Sequence, residues 1–306
     1  MSSTTTSPVP SPPPTIPLRT LDPLDRVPRV PKAPRRRPLW MWLGVGWIVL
    51  VVLLAVFAKL LPLPDPGLQV VSSPLMRGPG FDSMAMWLGT NNLGQSMMSR
   101  IVYGAQVSLV VSVAACAVAV VVGTLVGMTA GYFGGWVDSV VGLLTDTMFA
   151  FPGMILLLTL ATVFNPSAGT LIAGMGIMGI PPFLRLARAH TLTWSQREFV
   201  RAAKVLNAST GRILMKEVLP NVLPALGAFV PIVMSHIIVA EGAISFLGYG
   251  VQPPTPSWGG MISAGTQYLE DAPQLVLIPA AVIFLTVLSF NQLGDHLQTR
   301  NGGGRR

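Results

Sequence analysis

Asp146, His236 and Glu241 are the acids and imidazole that fall inside long apolar runs, so they are the first candidates for chemistry. An ionisable group is costly in lipid and therefore faces protein interior or a water-filled path. At about 1.5 Å per residue from the end of each run nearer the basic stretch 197–220, Asp146 lies roughly 10 Å in, His236 roughly 21 Å and Glu241 roughly 29 Å. Two readings stay open for each. Either it lines a pathway or an interface with another subunit, or a neighbouring carbonyl or hydroxyl satisfies it. Proton coupling would need a ladder of acids through the spans, and none is present. Phe149 and Phe151, beside Pro152, either line the same pathway or pack around a kink. No phosphate-cradling glycine loop, no His-Glu-x-x-His and no paired Cys-x-x-Cys occurs. The chain therefore shows no means of hydrolysing ATP or any other substrate, and no cofactor or metal site of its own. Cys116 is the single cysteine, inside an apolar run, so an intrachain disulfide is impossible.

The elements that must position these groups are membrane spans. Charged residues are 10% of the 306-residue chain and hydrophobic residues 51%, against about 25% charged in soluble domains. Several apolar runs reach the roughly 20 residues that cross a bilayer. The expected fold class is an all-α polytopic membrane protein with six transmembrane helices.

Residues 1–38 hold eleven of the 28 prolines and read as a disordered tail ending in Arg35-Arg36-Arg37. The first span, 39–62, is too long for a signal-peptide core, so it is read as retained. Residues 63–104 form an outer segment in which Met84, Met86, Met97 and Met98 suggest a short amphipathic helix on the membrane surface. The core runs from 105 to 296, and 297–306 is a second tail. Within the core the spans are about 107–130, 140–164, 169–184 (broken near Pro181-Pro182), 222–247 and 275–293. Gly123, Gly127 and Gly131 form a small-residue face on which another helix can pack closely.

Seventeen of the twenty Lys and Arg fall in the two tails and around residues 185–216. The positive-inside rule places that side, with both termini, in the cytoplasm. The formal charge of +8 is thereby accounted for, and nucleic acid is not an expected partner.

Residues 197–220 form the longest polar run between spans. Glu198 to Leu206 reads as a helix with Phe199, Ala202, Ala203 and Leu206 on one side. Residues 207–211 make a turn. Ser209 or Thr210 caps a second helix, Arg212 to Leu219, that ends at Pro220. A basic helical hairpin between spans is a docking device.

Arg201-Ala-Ala-Lys-Val-Leu-Asn207, nine further residues, and Glu217-Val-Leu-Pro220 have the spacing of the "EAA" loop of ABC importer permeases, which the chain resembles. Three more stretches are similar to the dipeptide/oligopeptide/nickel branch, its C-type subunit in particular. They are Trp87 to Arg100 with Tyr103-Gly-Ala105, Phe149-Ala-Phe-Pro152, and Ala243 to Gly259. Together they cover about residues 86–296. The resemblance implies a type I ABC importer (MetI-like) permease fold in a bacterial inner membrane. It implies a coupling helix using Glu198, Arg201, Ala202, Ala203, Lys204, Asn207, Leu219 and Pro220. It also implies a second homologous permease, two ATPase subunits or domains using ATP and Mg, an extracytoplasmic substrate-binding protein, and surrounding lipid. The substrate expected from it is a di- or oligopeptide, with nickel chelates and glutathione-like compounds open.

This sequence departs from the family pattern at several positions. Arg201 stands for Glu, and Glu198 one turn earlier offers a replacement charge. Asn207 stands for Gly, which a left-handed helix end tolerates, and Glu217 stands for Ile. Asn91, Gln95, Ser96 and Gln106 replace charged residues of the outer segment. An ATPase-independent secondary transporter or channel is the alternative, and it would need an inverted repeat or intramembrane ion ligands. A scaffold working through the proline-rich tail is a third reading.

Overall fold

The computed structural model describes residues 38–70 and 75–302; the basic proline-rich tail and Arg305-Arg306 lie outside the described residues. The order is α1 (Pro38–Val56), α2 (Met97–Phe133), α3 (Gly135–Ala150), α4 (Gly153–Val163), α5 (Ala168–Ser195), α6 (Glu198–Val205), α7 (Thr210–Arg212), α8 (Leu219–Phe246), α9 (Trp258–Gly265) and α10 (Gln274–Gly302). Among the described residues there is no strand beyond two isolated bridges in the outer segment. Five helices are long and apolar enough to cross a membrane, and α3 with α4 makes a sixth if the bent pair is one span.

The central packing is α2 against α5, and the glycine face of α2 is its cause. A Cβ at Gly123 would stand 2.8 Å from the Ile180 carbonyl, at Gly127 2.4 Å from that of Leu184, and at Gly131 2.7 Å from that of Arg188. Only hydrogen at these three positions lets the two backbones approach so closely. α8 packs on both helices of this pair, α10 packs on α8, and α1 lies on α10, where Trp47 Nε1 donates to Thr286 Oγ1 at 3.1 Å. Gly44 of α1 rests against Ser289 and Gln292, and Gly294 against Ile232 in the middle of α8, with α10 antiparallel to α8 so that its end lies toward the start of α8. The beginning of α1 and the end of α10 thus come to the end of the bundle that carries α6.

Three span boundaries differ from the sequence reading. The third span is not straight: it bends by 82° between α3 and α4. Phe151 there is extended (φ −84°, ψ 126°), as a residue before proline is driven to be. The fourth span runs on through Pro181 and Pro182 to Ser195. Each proline removes one backbone donor, but the flanking turns are clamped to α2 and the helix does not break. α2 starts ten residues earlier than expected, at Met97, where the Ser96 side chain caps it by accepting from Ser99 N. Its 37 residues span about 55 Å, well beyond a hydrocarbon core of about 30 Å.

The methionines of the outer segment are not spread on a surface. Met86 and Met97 are buried, and only three residues, Met84–Met86, form a short 3₁₀ turn. The segment folds back onto the start of α2 instead. Ser99 Oγ donates to the Pro64 carbonyl at 2.6 Å, and Ser96 Oγ to that of Ala85 at 2.5 Å.

Candidate functional site

The polar hairpin closes in two steps that its sequence dictates. Asn207 adopts φ +56°; Asn207 N donates to the Lys204 carbonyl and Ala208 N to that of Ala203, both at 3.0 Å. This is a Schellman stop, with asparagine in the left-handed position usually held by glycine. Ser209 then caps the next turn by accepting from Arg212 N. The second half differs from the expected short helix ending at Pro220. α7 passes through a π-helical turn, Ile213–Val218, directly into α8. Pro220 sits just after the π-helical turn, at the start of α8, and its missing N–H removes one bond from the continuous helix without ending it. The hairpin is therefore continuous with a membrane-crossing helix, Thr210–Phe246.

The side read as Phe199, Ala202, Ala203 and Leu206 is divided between core and solvent. Val200 is fully buried and Ala203 half-buried against the core, whereas Ala202 and Leu206 point out. Leu206 follows the last helical residue, so it leaves the face that periodicity assigned to it. Val205 and Leu206 are each 82% exposed, with Arg201 and Ala202 exposed beside them. Lys204 turns back toward the bundle, its Nζ 4.8 Å from the Tyr132 ring at the end of α2. Arg197 lies over Trp194 at 5.5 Å, and Phe199 leans on the same indole. Glu198 is exposed in the first turn of α6, where a negative charge suits the helix dipole. Leu219 is half-buried and Pro220 exposed. The tip thus presents an apolar knob, Ala202, Val205 and Leu206, rimmed by cations. Sequence reasoning missed Val205; its signal was a valine next to the polar turn that no inward face required.

The ionisable groups of the apolar runs do not converge. Glu241 is fully buried. Its carboxylate accepts from Ser108 Oγ at 2.9 Å and Ser245 Oγ at 2.8 Å. Ser108 Oγ also accepts from Trp258 N, and Trp258 Nε1 donates to the Ile101 carbonyl. Glu241 thus ties α2, α8 and α9 together, satisfied by neighbouring hydroxyls within one chain. His236 is exposed and its Nδ1 lies 2.7 Å from the Ile232 carbonyl. It borders a cavity of about 320 Å³ between α5 and α8, lined otherwise by apolar side chains including Met178, Pro182 and Phe229. Asp146 lies on α3, where Arg185 of α5 donates to it at 2.6 Å. Phe149 stacks under the same guanidinium, 4.1 Å from Cζ. Phe151 stands exposed at the bend.

The unusual outer-segment residues are internal. Asn91 Oδ1 accepts from Leu93 N and Gln95 N, and Gln95 Oε1 accepts from Asn91 Nδ2 and Arg100 Nη1. Gln106 donates to the Ala55 carbonyl at 2.6 Å, joining α2 to α1. These replacements stitch the outer segment and α1 to α2, so they are not free to meet another protein.

Residues 123–302, which hold the hairpin, α8 and most of the bundle, match the model of the family described as binding-protein-dependent transport system inner membrane component. The chain belongs to that family. This permease is 36% identical over 251 residues to the glutathione transport system permease protein GsiD of Escherichia coli O6:K15:H31, covering 82% of each chain. The GsiD of Shigella boydii serotype 4 matches to the same extent. It is also 36% identical over 256 residues to the dipeptide transport system permease protein DppC of Alkalihalophilus pseudofirmus, covering 83% of each. It is a transport permease of the inner membrane, not an enzyme.

Proposed function

We propose that this permease forms half of the translocation pathway of an ATP-driven importer for di- or oligopeptides, including glutathione-like compounds, with a second homologous permease as the other half. Two ABC ATPase subunits, using ATP and Mg, dock on the 198–220 hairpin from the cytoplasm. A substrate-binding protein delivers from outside, where the loop before α9 and the outer segment lie. The observation that carries this reading is the continuity of Thr210–Phe246 with a hairpin whose exposed tip is apolar and cation-rimmed. A push on Ala202, Val205 and Leu206 crosses only the capped turn at residues 207–209 before it enters the continuous helix Thr210–Phe246, a route for switching between inward- and outward-facing states. The relatives named for glutathione and dipeptide transport support the substrate class.

Arg201, where the family pattern has Glu, gives the docking surface a cation, so the ATPase cleft it enters should be acidic. Ala202→Trp tests the docking. Ala202 is exposed, so the variant permease should accumulate in the membrane at normal levels. ATPase subunits should no longer co-purify with it, and ATP-dependent peptide uptake should stop. Uptake at the parental rate would remove the hairpin from the coupling role.

A further inference from the structure

Two Arg–Asp pairs join α3 to α5, and they are built differently. Arg188 meets Asp138 through both Nε and Nη2, the second at 2.6 Å to Oδ2, with the side chains 36% and 23% exposed. Arg185 meets Asp146 through one contact, Nη2 to Oδ1, with the side chains 54% and 70% exposed. The first pair is a closed two-point clasp. The second leaves most of the five guanidinium donors unused and both charged groups open, although they sit on membrane-spanning helices where exposure to lipid is costly.

The place of the open pair matters. Arg185 follows Pro182 by three residues and Met178 by seven, so it stands on the flank of α5 that borders the α5–α8 cavity. The α3–α4 bend closes on the same flank, because a Cβ at Gly153 would collide with Met178 Cε. Phe149 holds the guanidinium plane from below, 4.1 Å from Cζ, which orients its donors before any ligand arrives. The apolar cavity of about 320 Å³ reaches along α5 as far as Pro182, three residues before the oriented, half-satisfied guanidinium of Arg185.

We propose that Arg185 is a carboxylate-binding group on the translocation pathway, and that Asp146 occupies it between transport events. A substrate carboxylate, the C-terminus of a peptide or either end of glutathione, displaces Asp146 and takes the two-point contact that Asp146 does not make. Its apolar parts rest in the α5–α8 cavity. This rests on the importer reading above.

The test uses the whole importer, purified through this chain and reconstituted in vesicles with its binding protein. The probes are dialanine and trialanine, each with its C-terminal amide, and glutathione as a further free acid. Wild-type complex should take up the free acids in an ATP-dependent manner. Arg185→Gln should lower kcat for the free acids about tenfold and abolish their advantage over the amides, whereas Asp146→Asn should keep the advantage of the free acids over the amides and lower their KM by removing the competing carboxylate. The exchange Arg185→Asp with Asp146→Arg should not restore uptake. If the exchange restores it, or both single variants lose it equally, the pair is a packing clasp and the proposal falls. Should Arg185→Gln fail to assemble, Arg185→Lys carries the test. It keeps the charge without the two-point geometry, and uptake of the free acids equal to that of Asp146→Asn overturns the proposal. Wild-type complex that imports none of the probes overturns the peptide reading itself, and the site with it.

Discussion

Glu241 illustrates why an acid in an apolar run is not by itself a pathway residue. Ser108 and Ser245 both donate to it, and through Ser108 it supports the Trp258 backbone. Its role on this geometry is to hold α9 against α2 and α8. Glu241→Leu keeps the approximate volume but removes the acceptor of two hydroxyls, a loss of about 1–3 kcal/mol for buried partners left unpaired. The variant should unfold at lower temperature in detergent. Glu241→Gln retains a carbonyl acceptor and should melt close to the parent. Equal melting of both variants would show that the carboxylate, not the hydrogen-bond network, is what counts. His236 is the opposite case, since its ring borders open space between α5 and α8.

At the scale of elements, the α2–α5 contact tolerates little change. A side chain at Gly127 would place its Cβ 2.4 Å from the Leu184 carbonyl, so the helices must separate, and overpacking of this kind costs at least about 1–3 kcal/mol. Gly127→Leu should therefore remove most folded permease from the membrane, as measured by size-exclusion of detergent extracts. Gly142 of α3 has nothing within 4 Å of its would-be Cβ, and Gly142→Ala should accumulate normally. The hairpin shows the other behaviour of an element. Its inner side, Val200 and Ala203, is committed to the bundle, while Ala202, Val205 and Leu206 are uncommitted. Leu206→Asp should leave the permease folded yet reduce ATPase co-purification, whereas Val200→Asp, at a fully buried site, should cost folded protein.

For the whole molecule, sidedness is the property to measure. Cys116 is the sole cysteine and is buried, so Cys116→Ala supplies a background for labelling. In that background Leu206→Cys, at an exposed position, should react with a membrane-impermeant maleimide in inside-out vesicles and not in intact cells. A cysteine at exposed Phe81 of the outer segment should show the reverse. Matching labelling of both from the same side would invert or abolish the proposed topology. The family, the helical class and the hairpin were all legible in the sequence because each depends on local signals. Hydropathy, the spacing around Arg201-Ala-Ala-Lys204 and turn residues such as Asn207 carry their information within a few residues. The 82° bend was only half legible: Pro152 marks its position, but its size depends on how α4 settles against α5. Leu206 follows the last residue of α6, and periodicity cannot tell where the last helical turn stops.

What the sequence by itself determined is the order of apolar segments, the clustering of basic residues around 185–216 and in the tails, and a polar hairpin between spans. These follow from the cost of burying charge in lipid and from backbone preferences of asparagine, glycine and proline. Only the tertiary structure decided which ionisable groups meet. It joined Glu241 to two serines, set His236 at the edge of a cavity, and brought Asp146 and Phe149 to Arg185, 39 residues from Asp146 along the chain. It also showed that the hairpin runs without interruption into α8. Contacts between helices depend on the register of packed surfaces, and no local pattern in one helix records the partner that its neighbour will present.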